Sequence, residues 1–212
     1  MLTIKTPLFK WLFLSIVLIL ASEIANTLLG LEDLLYNSLS EQLTSEQLQN
    51  YFQFKDKWQW LGYVFTPLFL LIKVAIIAAI LDIGCFFFEQ QIKYKTLFDC
   101  VVKAEFVFVL VVVFKTVWFY VFQQDYTLQD LQSFYPLSVL NIVGYEDLHP
   151  WFIYPLQVLN VFELVYWFVL ANLLSKVLNI TTHKGMGIVA SSYGLSLVIW
   201  VVAVMFFTLN MS

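Results

Sequence analysis

Apolar residues gather in five long runs, at about 8–29, 60–88, 97–122, 154–178 and 186–209, with polar stretches between them. A helix needs roughly 20 apolar residues to cross the hydrocarbon of a bilayer, and each run reaches that length. The pattern predicts an all-α integral membrane protein of five transmembrane helices, with residues 1–212 forming a single membrane domain. Lys5 and Lys10 precede the first run as they would in a secretory signal. Ala21-Ser22-Glu23 makes a poor cleavage site and the run continues to Leu28-Leu29, so it reads as an uncleaved span.

The polar stretches have their own patterns. Residues 30–57 form an amphipathic outer loop, with Leu31, Leu34, Leu35, Leu39 and Leu43 at helical spacing and Glu32, Asp33 and Glu41 between them. Thr44 and Gln47 fit a capping box, and Leu43 and Leu48 are placed as its staple. Two short amphipathic helices are expected there, either lying on the membrane or bundle or forming a solvated hairpin. Glu89–Thr96 is short, so the second and third spans should be antiparallel neighbours. The outer loop 123–153 carries break signals at Tyr135-Pro136, Gly144-Tyr145 and His149-Pro150. Its apolar piece Leu137–Val143 is too short to span and reads as re-entrant or surface-lying. Pro67 is the one expected kink, in the second span.

Lysine placement sets the orientation. Lys5, Lys10, Lys93, Lys95, Lys176 and Lys184 all fall on one side of a five-span chain. The other side has Lys55 and Lys57, and in the 123–153 loop only acids: Asp125, Asp130, Glu146 and Asp147. Cytoplasmic loops are the lysine-rich ones, which places the N-terminus in the cytoplasm and the C-terminus outside. Trp58, Trp60, Trp118 and Trp151 then lie near the outer span ends, as an aromatic belt does.

A set of ionisable residues lies deep within the spans: Glu23, Lys73, Asp82, Lys103, Glu105, Lys115 and Glu163. Such groups cost at least roughly 2.5 kcal/mol each at the membrane centre and should turn inward to partners. Helical rise sorts them into layers. The expected pairs are Glu23–Lys115, Lys73–Glu163 and Asp82–Lys103, which leaves Glu105 without a base of its own. Asp99 and Lys103 are four apart, a common structural pair on one helix. The set reads as interhelical glue with snorkelling lysines, or as a polar path for protons, ions or a headgroup.

Composition narrows the function. Hydrophobic residues make up 61% of the chain and charged ones 12%, which leaves no room for a separate soluble domain. The chain contains no arginine, the usual bidentate ligand of phosphate, so nucleic acid is not an expected partner. Cys85 and Cys100 are not a CxxC pair and have no histidine near them in sequence, so a structural role is expected. His149 and His183 fall on opposite faces and cannot share a metal within one subunit. There is no HExxH and no GxSxG. A non-enzymatic protein with no cofactor, no metal and no catalytic residue is expected.

Further along, Leu159-Asn160-Val161-Phe162-Glu163-Leu164-Val165-Tyr166-Trp167 leads into Leu170-Ala171-Asn172-Leu173-Leu174, a turn with Lys184-Gly185, and a last apolar helix. Upstream stand Val143-Gly144-Tyr145 and Pro150. Over roughly residues 58–207 this resembles the Yip family of five-span membrane proteins, in which a Leu-Asn-Pro-Phe-like start precedes a tryptophan and a final hairpin. Val161 stands where the family often has proline, and the cytosolic N-terminal motif of eukaryotic members has no counterpart here. The resemblance implies five helices and a cytoplasmic N-terminus, without the GTPase partner of the eukaryotic members. The expectation is an adaptor or organising component of a bacterial inner (plasma) membrane. Its partners would be the lipid bilayer and another membrane protein. The alternative is a small transporter or permease subunit that uses the intramembrane charges.

Overall fold

The computed structural model describes residues 6–146 and 148–211, without the side chain of Met211. Lys5 and Asp147, used above for orientation, lie outside the described residues. Among the described residues ten helices run in chain order: α1 (Pro7–Leu28), α2 (Leu31–Ser40), α3 (Ser45–Phe87), α4 (Tyr94–Val117), α5 (Leu128–Ser133), α6 (Leu140–Val143), α7 (Pro150–Val158), α8 (Val161–Leu178), α9 (Thr182–Val189) and α10 (Leu195–Met211). Short π-helical turns extend α4 over Trp118–Phe122 and join α9 to α10 over Ala190–Gly194. Among the described residues the only β pairing is one bridge, Ser138 to Asn160.

Among the described residues four helices are long and apolar enough to cross a membrane: α1, α3, α8 and the α9–α10 rod. They pack with α4 into a bundle with two distinct ends. The turn end carries the short connections after α3 and α8. There Lys10 of α1 bonds Asp99 of α4, and Gly187 of α9 faces the ring of Phe88. The loop end carries α2, α5, α6 and α7. There the Tyr126 hydroxyl donates to the Leu29 carbonyl at 3.0 Å, over a small core of Leu29, Phe119 and Leu131.

Local chemistry explains most element boundaries. Pro7 opens α1, where its missing N–H costs nothing. Gly30, at φ +56°, breaks the chain between α1 and α2, a conformation that only glycine adopts cheaply. Thr44 and Gln47 form the expected capping box: the Gln47 N–H donates to Thr44 Oγ1, and the Thr44 N–H to Gln47 Oε1 at 3.0 Å.

Beyond that cap the structure departs from the expected short helix followed by a span at 60–88. Residues 45–59 contain neither glycine nor proline, so nothing stops the helix, and α3 runs unbroken for 43 residues. At 1.5 Å per residue that is about 65 Å, roughly twice the hydrocarbon thickness.

The span expected over 154–178 is broken. α7 ends at Val158, and α8 starts at Val161 after an extended Asn160. Asn160 caps α8 by accepting from the Glu163 N–H at 2.8 Å, and its amide returns to the carbonyls of Gln157 and Val158. A short polar side chain that can satisfy backbone groups on both sides makes such a break cheap. The 137–143 piece closes the gap, with the Val139 N–H on the Leu159 carbonyl and the Val161 N–H on the Leu137 carbonyl. α7 turns aside to pack on α10, where the Trp200 indole donates to the Tyr154 hydroxyl at 2.9 Å.

The core lies around α4, which touches α1, α3 and α8. Leu97, Val101, Val102 and Ala104 meet Val74, Ala78 and Leu81 of α3, and Tyr166, Leu170 and Ala171 of α8, with no exposure worth counting. Lipid tails are as apolar as leucine, so close packing rather than exclusion of water holds such helices together. Glycine provides the approach: a Cβ on Gly185 would stand 2.7 Å from the Ala171 carbonyl, and one on Gly84 2.6 Å from Ser192.

Candidate functional site

Three of the charges within the helices, Lys73, Glu105 and Glu163, gather around one polar centre. Lys73 of α3 reaches Glu105 of α4, Nζ to Oε2 at 2.8 Å. Glu105 is 2% exposed, and its other oxygen accepts from the Tyr166 hydroxyl of α8 at 3.1 Å. The Lys73 ammonium also sits 4.3 Å from the centre of the Phe108 ring, which packs on Tyr166. Tyr166 meets Tyr193 edge-on, ring centres 5.4 Å apart. The Tyr193 hydroxyl donates to Glu163 Oε1 at 2.8 Å, and the Trp167 indole donates to the same oxygen at 2.9 Å. Three helices and the last rod therefore meet on two carboxylates.

The backbone is adapted to this meeting. Tyr193 lies in the π turn Ala190–Gly194, where one wider turn swings its ring into the core. Such turns recur at functional sites. Gly194 leaves room for Trp167: a Cβ there would stand 2.5 Å from the indole ring. Glu163 occupies the first turn of α8, where the helix dipole favours a carboxylate. Lys73 and Glu105 both lie within Coulombic reach of Glu163.

The expected pairs are not the ones formed. Lys73 takes Glu105 rather than Glu163, so Glu105 does have a base. Lys115 donates to the Leu131 carbonyl instead of meeting Glu23. Lys103 binds Asp99 at 2.6 Å, as the i,i+4 spacing allows, and not Asp82; Lys10 takes the other Asp99 oxygen. Among the described residues Glu23 and Asp82 make no ion pair. Helical rise estimates depth, but the azimuth of a side chain around its helix decides who it meets, and sequence spacing alone does not carry that between helices.

Comparison with family models, curated proteins and solved structures finds no match.

Sequence reading missed Tyr166, Trp167 and Tyr193, although each left a trace. Tyr166 and Trp167 follow Glu163 at helical spacing, and Ser191-Ser192-Tyr193-Gly194 is a polar interruption in the last apolar run. Sequence reading also missed an open groove of about 640 Å³ at the loop end, between the end of α4, the 130–145 segment and the start of α8. Asp130 sits on its wall. It accepts from the Tyr145 hydroxyl at 2.7 Å and closes a capping box with Thr127. The Tyr145 hydrogen bond, with those from Thr127, holds the Asp130 carboxyl below the usual range, and the same bond pushes Tyr145 up to about 12.

The centre can do two things chemically. Lys73 and Glu105 neutralise one another across α3 and α4, which locks the helices in register. Glu163 has hydroxyl and indole donors but no base in direct contact, so it can hold either a charge or a proton.

Proposed function

We propose that this chain is a five-span, non-enzymatic adaptor of a bacterial inner membrane that organises other membrane components at its loop end. In this reading α4 is the fifth span, with the turn end cytoplasmic and the C-terminus outside. Support for the fifth span comes from the enclosure of α4 by α1, α3 and α8. Support for the orientation comes from Lys10, Lys93, Lys95, Lys176 and Lys184 at the turn end, against Asp125, Asp130 and Glu146 at the loop end.

One observation carries the adaptor role: the first 15 or so residues of α3 precede its apolar run and lengthen the helix by about 20 Å. Tyr51, Phe54 and Trp58 are exposed along this stretch. α2 folds back on it through a Lys55–Glu32 ion pair at 3.3 Å and a Tyr36–Phe52 ring contact. A braced helix with exposed aromatic residues is what a docking surface for another protein looks like.

Kinship with the Yip family is part of the proposal. Its support is the position of the shared motif: Asn160 is the α8 cap and Val161 the first helical residue, where a proline is most readily accepted.

The test is affinity purification of the tagged full-length chain from gently solubilised membranes, with mass spectrometry of what accompanies it. A stoichiometric membrane protein that is lost from the Phe54→Ala/Trp58→Ala double variant supports the reading. No partner, or a partner indifferent to that variant, overturns it.

The interrupted α7–α8 helix favours a second reading. Discontinuous helices mark ion and substrate sites in transporters, and here the break leads into Glu163. If the chain conducts protons in liposomes, Glu163→Gln should abolish the flux while the protein stays folded.

A further inference from the structure

The loop-end groove has the chemistry of a lipid headgroup site with an acyl channel. Its apolar side is formed by Phe114, Leu137, Ile142 and Val161, and Ile142 is 86% exposed with nothing in the fold covering it. Its far wall is aromatic: Trp118 stacks on Phe134 with ring centres 5.5 Å apart and 19° between planes, and Phe119 meets Phe134 edge-on. Its polar wall is Asp130, one oxygen of which holds only the Tyr145 hydroxyl. A carboxylate has about four acceptor sites, so this one keeps capacity for a further donor. A smaller hollow of about 230 Å³ adjoins it across Gly144 and Tyr145 and adds Glu146. Among the described residues no lysine lines either space; the nearby Lys115 donates to the Leu131 carbonyl.

Two further features belong to the groove. Ser138 lines it at 2% exposure, with its hydroxyl lacking any hydrogen-bond partner. That oxygen is itself closed off from the open groove, so it belongs to the wall and is not a contact for a ligand. Leu137 is held at φ +55°, a region leucine seldom adopts and one that concentrates at ligand sites.

Acid without base selects a cation, and stacked aromatic faces beside it select an ammonium, which is drawn to the ring quadrupole. The apolar, laterally exposed side selects a hydrocarbon chain. We propose that the groove binds a phospholipid with an ammonium headgroup, of the ethanolamine or choline type. The ammonium lies between Asp130 and the Trp118–Phe134 faces, and one acyl chain runs along Phe114, Leu137, Ile142 and Val161. The proposal rests on the chain being membrane-embedded; it does not depend on the adaptor role, and loss of a protein partner in the test above leaves it standing.

The experiment is native mass spectrometry of the full-length protein, delipidated and then titrated with phosphatidylethanolamine, phosphatidylcholine or phosphatidylglycerol. The expected result is one retained ethanolamine or choline lipid at concentrations where the glycerol lipid, which lacks an ammonium, is held at least tenfold more weakly. Asp130→Asn should weaken retention about tenfold. Ile142→Trp, which fills the apolar side and leaves the Thr127–Asp130–Tyr145 bonds alone, should block it as well. This second variant keeps the test decisive if Asp130→Asn unfolds. Equal retention of the glycerol lipid, or full retention by a folded Ile142→Trp variant, overturns the proposal. Phosphocholine or phosphoethanolamine without acyl chains should not compete at equal concentration. If either does, the ligand is a soluble amine and the lipid assignment is wrong.

Discussion

Helices α4 and α10 invert the rule of soluble proteins. α4 carries Lys95, Asp99, Lys103, Glu105 and Lys115, yet eight of its residues are buried, including Glu105. α10 has no charged residue, yet none of its described residues is buried; Val198, Ile199, Phe206 and Phe207 all face outward. In water the apolar helix would take the centre. In a bilayer the surroundings are hydrocarbon, so the apolar helix goes outside and the polar one takes the only place where its charges find partners. For this pair of helices, then, the more apolar one is the less enclosed. That is why α4 lies at the centre of the bundle although it is not among the four helices long and apolar enough to cross a membrane.

The comparison breaks most sharply at Lys73. Lys73→Met leaves Glu105 at 2% exposure with only the Tyr166 hydroxyl. The Lys73 side chain is 46% exposed and only Glu105 is buried, so the loss is at most the roughly 3–5 kcal/mol of a fully buried pair. Thermal unfolding in detergent should show the loss, and adding Glu105→Gln should recover most of it. An equally unstable double variant would mean that the pair does not act as a unit. The converse change is next in size. Ile199→Lys puts on α10 the same charge that α4 carries, but toward lipid, at about 2.5–3.5 kcal/mol if it lies near the membrane centre. Reduced membrane insertion should report it. A neutral result would place that face of α10 against protein or water.

A third change tests the junction between these regions. Gly194 ends the π turn just before α10 and lies against Trp167. Gly194→Ala would set a methyl 2.5 Å from a rigid indole, and overpacking of this kind costs about 1–3 kcal/mol. The indole must move, so its bond to Glu163 should weaken with it. A shift in Trp167 fluorescence, read in a variant without the other tryptophans, would report this. Gly62, with nothing within 4 Å of its Cβ position, is the control: Gly62→Ala should be neutral or slightly stabilising.

Much of this fold was legible, and the failures share a cause. The helical class, the Thr44–Gln47 box and the Asp99–Lys103 pair follow from composition and from spacing along one helix, because those contacts are local. The unbroken α3 was legible in principle, since residues 45–59 lack any stop signal. The break at Leu159-Asn160 was hidden because no glycine or proline marks it; its only signature is Asn160 with Glu163 three residues on, a helix-start pattern inside an apolar run. The true partners of Lys73 and Lys115 depend on how helices rotate against each other. So does the groove, which is assembled from α4, α5, α6 and α8.

The smallest effect belongs to the groove wall, outside the helices just compared, where water rather than packing sets the stakes. Asp130 has its folded pKa lowered, chiefly by the Tyr145 hydroxyl. Its contribution is therefore present above the unfolded value, roughly 4, and is lost as pH falls through the lower folded value. Tyr145 has its folded pKa raised to about 12. Its contribution is complete below the unfolded value, about 10, and is lost as pH rises through about 12. Both shifts describe one hydrogen bond, so the loop should hold its structure between these limits and loosen beyond either. Tyr145→Phe removes the alkaline limit and moves the acid limit up toward the ordinary carboxylate range, while the Lys73–Glu105 centre is unaffected. Limited proteolysis of the 123–149 loop across acid pH reads the change directly. Cleavage that begins at the same pH in both proteins would show that the Asp130–Tyr145 bond does not hold the groove wall.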